Sequence, residues 1–256
     1  MTLLSLSVSG TLLISSILAG CFPWQLHFQN NQDFEGPEKN DLLSKIKKLA
    51  KKLEIKKEIS LLEEKDLGTV KAVGVAILPG RAAIFIDPDI ARNLSLPELE
   101  FIMAHELAHI KANDVILKLT YLSAVYLIAA VAMNTLPWST GAGLAIGEAT
   151  VSAAVFVAYH FFSQWREGCA DSLGFSVCSE KAKRAAFKFF EEERTSLLSK
   201  RNSKEGSYLS RLWRSFQITE DGDNRLDVGH PPTTARIRAL SQQQKNESFS
   251  QFGDVL

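Results

Sequence analysis

Cysteine is scarce in this chain: three residues in 256, Cys21, Cys169 and Cys178. An odd, sparse count excludes a disulfide framework as the source of stability. An excess of one charge is also missing, because 29 Lys and Arg balance 29 Asp and Glu. No basic surplus is available for a phosphate backbone and no nucleic-acid motif is present, so a nucleic-acid partner is not expected. No internal repeat is visible, which argues against a solenoid or propeller. What is abundant is apolar residues, at 46%. A chain of this length and composition accommodates one domain with its own core, plus membrane segments.

Charge is absent from residues 2–20, which are largely apolar and end in Leu18-Ala19-Gly20-Cys21. That ending resembles a lipobox, whose cysteine becomes the acylated first residue of an exported bacterial lipoprotein. The basic start of a secretory signal is missing, because residues 1–20 hold no Lys or Arg. The alternative is an N-terminal membrane anchor, for which the run is just long enough. Residues 1–21 are therefore a signal or anchor, and the polar stretch up to residue 40 is a linker. Leu42, Leu43, Ile46, Leu49, Ala50 and Leu53 then recur at helical spacing opposite a lysine face, which predicts a helix packed on a core or, alternatively, on a membrane surface.

Short strands are predicted around Ile59–Leu62, over 70–78 and over 82–87. The last is the candidate edge strand for pairing with an extended peptide, with an ordinary core strand as the equal alternative. Directly after it comes His105-Glu106-Leu107-Ala108-His109. Two histidines four residues apart share one face of a helix, so both imidazoles reach one metal ion. Two neutral nitrogen donors suit zinc, and Glu106 beside them supplies a general base for water. The pattern reads as a zinc peptidase site. Ser95-Leu96-Pro97-Glu98 is a capping-box start for that helix.

The helix is expected to run on past His109 into the apolar stretch 115–133, which a turn at 134–141 separates from a second apolar run at 142–162. Each approaches spanning length. Together they predict a membrane hairpin, with a buried helical pair in a soluble domain as the alternative. Glu148 is an unusual carboxylate within the second run. Lys111, Lys118 and Arg166 flank the hairpin on the side away from the turn. By the positive-inside rule they place the adjoining domain in the cytoplasm. A lipobox at Cys21 would place it outside, and both orientations stand.

Two histidines leave zinc short of a protein ligand. Glu167 and Asp171, one helical turn apart after the second run, are the next candidates. Glu167 would ligate, and Asp171 would accept a hydrogen bond from a ligand imidazole. The alternatives are a solvated acidic face and, as rival ligand, the thiolate of Cys169. His230, before a helix predicted from Pro232 to Leu240, is a candidate oxyanion donor or a plain helix-start residue. Arg236 suits a structural pair with an acid near the site. His160 marks the membrane boundary or lies near the metal, and His27 has no assigned role. Further helices are predicted at 182–198 and 208–216, with a polar, frayed tail over 241–256.

The order HExxH, hydrophobic hairpin, Glu167-Gly168-Cys169-Ala170-Asp171, then His230-Pro231 and Arg236-Ile237 resembles the HtpX and CAAX prenyl protease group of membrane zinc metallopeptidases over about residues 40–240. The resemblance implies an α+β, mainly helical, zincin-like metalloprotease domain (41–240) with a small β-sheet and an inserted hydrophobic hairpin (115–162). It implies one Zn2+ per chain on His105, His109 and Glu167, with Glu106 as general base. It implies endopeptidase cleavage of unfolded or membrane proteins, in membrane or envelope quality control, at a bacterial inner membrane. Membrane lipids are then further partners. Two other functions stand beside it: a non-catalytic zinc-binding membrane adaptor, and a zinc amide hydrolase using Cys169.

Overall fold

The computed structural model describes residues 39–64, 72–75, 80–135, 141–227 and 229–253. The Cys21 lipobox, His27, the 22–38 linker, the centre of the turn at 136–140 and the Glu148 side chain lie outside the described residues.

Helix α1 (Lys39–Lys52) forms where the apolar spacing demands it. Leu42, Ile46, Leu49 and Ala50 are buried against the core, and Lys47, Lys48, Lys51 and Lys52 face solvent. This apolar face is used up in packing, so of the two readings of this helix the core one holds.

Strands β1 (Glu58–Glu63), β2 (Ala72–Val75) and β3 (Arg81–Ile86) form one sheet in the order β1-β3-β2. β1 runs parallel to β3 and β2 antiparallel to it. Of the two readings of 82–87, edge strand or core strand, the core one holds: β3 is the centre of the sheet. Its composition explains this: Ala82–Ile86 is a continuous apolar run, buried on both faces, as a central strand must be. Ala82, Ile84 and Ile86 join the main core, while Ala83 and Phe85 pack with Leu62, Val73 and Val115 on the other face. β2 is left as an edge among the described residues.

Helix α2 (Pro88–Asn93) starts at Asp87, whose carboxylate accepts from the Asp89 and Ile90 N–H groups. Helix α3 (Leu96–Ala112) carries the HExxH motif. At its start the backbone N–H and hydroxyl of Ser95 both donate to Glu98, at 2.7 and 2.5 Å. Every residue from Glu98 to Ile110 is buried, so α3 is the axle around which the other elements pack.

The chain does not pass straight from α3 into the apolar stretch. Asn113 adopts a left-handed conformation (φ 53°, ψ 46°), and α4 (Asp114–Thr135) starts at the next residue. The second apolar run and the Glu167 segment are instead one continuous helix, α5 (Gly141–Val177). Tyr121 of α4 stacks on Phe162 of α5 with ring centroids 4.0 Å apart, and its hydroxyl donates to the Ala158 carbonyl. Lys118 meets Glu167 one turn below, so the two helices run antiparallel.

This pair is not buried in the domain. Leu127 and Ile128 on α4 are 67% and 69% exposed. Among the described residues one helix, not two, is long and apolar enough to cross a membrane: the window Asp114–Val131, of which 6% is buried.

Helices α6 (Glu180–Asn202), α7 (Tyr208–Gln217) and α8 (Thr233–Gly253) complete a mainly helical α+β domain. Phe190 of α6 meets Phe101 of α3 edge-to-face at 5.7 Å. The tail expected to fray from 241 is helical to Gly253. Gln243 bonds to Ser172, and Glu247 pairs with Lys183 at 2.6 Å. Those polar anchors on α5 and α6 replace the apolar face that the tail lacks.

Candidate metal centre

His105 and His109 sit one turn apart on α3, and Glu167 reaches them from α5. Glu167 Oε2 lies 3.3 Å from His105 Nε2 and 3.4 Å from His109 Nε2, and the two Nε2 atoms are 3.0 Å apart. These three side chains form a group whose donor atoms all lie within 4.8 Å of one another. Close crossing of α3 and α5 permits this. A Cβ at Gly174 would stand 2.8 Å from the His105 backbone nitrogen, so glycine is required there.

Each imidazole is oriented from behind. His105 Nδ1 meets Asp171 Oδ1 at 2.9 Å, and His109 Nδ1 meets Asp114 Oδ2 at 2.5 Å. A carboxylate facing Nδ1 fixes the proton there and turns the Nε2 lone pair toward the cluster. Each carboxylate has its own arginine. Arg236 grips Asp171 with two bonds of 2.6 Å, and Arg166 reaches Asp114 at 2.5 and 2.8 Å. Arg236 also lies over the Phe190 ring, 4.3 Å from its centroid.

Sequence reasoning named Asp171 and anticipated an acid for Arg236, but it missed Asp114 and the role of Arg166. The signal for Asp114 was Asn113, a residue type that tolerates the left-handed conformation and so ends a helix. The bend at Asn113 swings Asp114 back onto His109.

The cluster favours a bound positive charge. Burial disfavours the charged imidazole of His105, but hydrogen bonds to Asp171 and Glu167 outweigh it and raise its pKa to about 10. Burial would raise Glu167, yet hydrogen bonds from both imidazoles hold it far below the usual carboxylate range. Burial is likewise outweighed at Asp171, which Arg236 and His105 bring down to about 2. Two nitrogen lone pairs and one carboxylate oxygen converging in a buried site make a donor set that fits a divalent cation, with room for a further ligand.

Glu106 stands beside this set. Burial raises its pKa, and the two imidazoles and the Gly74 N–H oppose that rise. The Gly74 N–H donates to Glu106 Oε2 at 2.6 Å, so the edge strand β2 holds the carboxylate in place. A Cβ at Gly74 would come within 2.6 Å of the Glu106 carbonyl oxygen, which only glycine avoids.

The remaining candidates divide. His230 Nε2 is 3.7 Å from Glu167 Oε2, and its Nδ1 is 3.3 Å from each Asp227 carboxylate oxygen. Its side chain is 40% exposed, so it borders the cluster from the solvent side. Cys169 is outside the donor group and lines a groove with Ala108, Trp165 and Leu173. His160 lies against Phe161, also outside the group.

Residues 37–244 match the family model described as peptidase family M48. That span takes in α1 to α7, the sheet, α8 as far as Gln244 and every residue of the cluster. With most of its length covered, the chain belongs to peptidase family M48, a family of metallopeptidases.

Proposed function

We propose that this protein is a zinc-dependent endopeptidase held at a membrane by the apolar helices α4 and α5. The observation that carries the reading is the convergence of His105, His109 and Glu167 with Glu106 beside them. His105, His109 and Glu167 would hold the ion. Two nitrogens and one carboxylate oxygen, with a position left for substrate or water, is the donor set of catalytic zinc. When bound, zinc supplies Lewis-acid activation of water and of the scissile carbonyl.

The rest is done by the chain's own groups. Glu106, its pKa raised by burial, takes a proton from the attacking water and later gives it to the leaving amine. Gly74 N–H keeps the carboxylate aimed while it changes charge. His230, on the open side of the cluster, donates to the oxyanion. β2 is the edge next to Glu106, so an extended substrate pairs there.

Within the family, the long apolar pair between the second and third ligands favours the HtpX and CAAX prenyl protease group. The exposed Asp114–Val131 window supports a membrane location. Unfolded or membrane-embedded polypeptides are then the natural substrates, in the manner of envelope quality control.

The test is a cleavage assay on detergent-solubilised protein with metal analysis. Wild type should carry one zinc and cleave unfolded polypeptide. Glu106→Gln should keep the zinc and lose turnover, and Glu167→Ala should lose the zinc. Wild type that binds zinc and cleaves nothing under any condition would leave the adaptor reading instead. Loss of metal from Cys169→Ser but not from Glu167→Ala would overturn the ligand assignment.

A further inference from the structure

One cation beside the cluster has no part in the chemistry above. Lys118 lies one turn into α4, within the Asp114–Val131 apolar window. Its Nζ is 3.5 Å from Glu167 Oε1. The other oxygen, Oε2, faces both imidazoles and, at 3.7 Å, His230. The carboxylate is therefore divided, one oxygen toward the ligand nitrogens and one toward the ammonium. The Glu167 side chain is 9% exposed and that of Lys118 27%, so the pair is largely withdrawn from water. A carboxylate so buried needs a compensating charge, and a lysine in an apolar helix needs a partner. Each supplies the other's need.

We infer that Lys118 is a positioning residue for the metal ligand Glu167. Its ammonium holds Oε1, so that the carboxylate presents Oε2 alone to the cation. It also ties the apolar helix α4 to the metal centre. The inference rests on the proposed metal centre, because it describes how one ligand of that centre is held. Without the ammonium, Oε1 is free to turn toward the same cation, or the carboxylate rotates away from it. Either change alters the coordination and weakens the site. The competing role is a lysine that merely carries its charge from an apolar surface to water, and that role leaves the metal unaffected.

The test compares zinc affinity, measured by chelator competition, and the visible absorption of the cobalt(II)-substituted protein, using the full chain in detergent. Lys118→Met keeps the stem and removes the charge. It should weaken zinc binding about 10–100-fold, the usual effect of losing a partner of a ligand, and change the cobalt spectrum. Lys118→Arg should restore both. Lys111→Met is the control, since Lys111 pairs with the exposed Glu54 at 3.7 Å, and it should match wild type. Thermal unfolding reports whether Lys118→Met has folded. If it has not, Lys118→Gln takes its place with the same expected direction. Wild-type affinity and spectrum in the charge-removed variant would overturn the inference, and so would Lys118→Arg behaving like Lys118→Met. A wild-type protein that takes up no zinc would instead refute the metal centre itself.

Discussion

Gly174 and Gly168 lie on the same helix, and the structure gives them opposite fates on substitution by alanine. A Cβ at Gly174 would meet the His105 N at 2.8 Å and the Ala104 C and His105 Cα at 3.0 Å. All three are backbone atoms of α3, so no side-chain rotation relieves the clash. Ordinary contact starts at 3.4 Å, so the helices must part by about 0.6 Å, the difference between 3.4 and 2.8. Overpacking of this kind costs roughly 1–3 kcal/mol, against about 1 kcal/mol gained from replacing a helical glycine. The opening also falls where Asp171 reaches His105 across 2.9 Å. Gly174→Ala is expected to lower stability by up to about 2 kcal/mol and to weaken zinc binding. At Gly168 a Cβ meets nothing within 4 Å. Gly168→Ala should therefore stabilise by about 0.5–1 kcal/mol and leave metal affinity alone. Thermal unfolding in detergent with and without zinc, together with chelator competition, reads both effects. Equal behaviour of the two variants would refute the close-crossing argument.

Asp114→Asn should weaken zinc binding about 10–100-fold, because it removes the charge that fixes His109 and strands Arg166; chelator competition checks this. Glu100, on α3, sits under burial that would raise its pKa, but Lys45 and the Ser179 N–H bring it below its ordinary 4.5. Folding therefore favours the ionised form, so its contribution is full above pH 4.5 and fades as pH falls through the lower folded value. Glu100→Gln should be less stable than wild type at pH 7 by roughly 1–3 kcal/mol, with the gap narrowing in unfolding curves taken below pH 4.5. Burial and the nearby Glu100 charge push the Cys178 thiol up to about 12. In maleimide labelling followed by peptide mapping, Cys178 should stay unmodified in native protein while the part-exposed Cys169 reacts. Labelling of Cys178 should then appear only with denaturant.

What was legible in the sequence was whatever depended on local geometry. Histidines at 105 and 109 must share a helix face, and Ser95 with Glu98 must start that helix, whatever the rest of the chain does. α1 was legible for the same reason, its apolar stripe being complete within four turns. Strand order was not local, and β3 stayed open between an edge and a core strand. Its own composition held the answer, since an edge strand has no need of the unbroken apolar run Ala82–Ile86. The tail beyond 241 was read as frayed because its helix is held by polar contacts to Ser172 and Lys183, which leave no apolar stripe to detect. Glu167 was readable only once HExxH had been found, because a glutamate and an aspartate one turn apart on a helix are ordinary by themselves.

Asp114 shows why the rest was hidden. On an unbroken helix, the residue five beyond His109 would be rotated about 140° away from it. The left-handed turn at Asn113 cancels that rotation and brings Asp114 back to His109 Nδ1. The same turn redirects the chain into α4, so the residue that orients the second histidine is also the first residue of the apolar pair. At the other end of that pair, Arg166 and Glu167 are consecutive on α5, one gripping Asp114 and the other meeting both imidazoles. The histidine–carboxylate cluster therefore closes the base of the apolar pair. The two helices cannot splay apart there without pulling Arg166 from Asp114 and Glu167 from Lys118, so the packing of α4 on α5 and the geometry of the cluster are set by the same contacts.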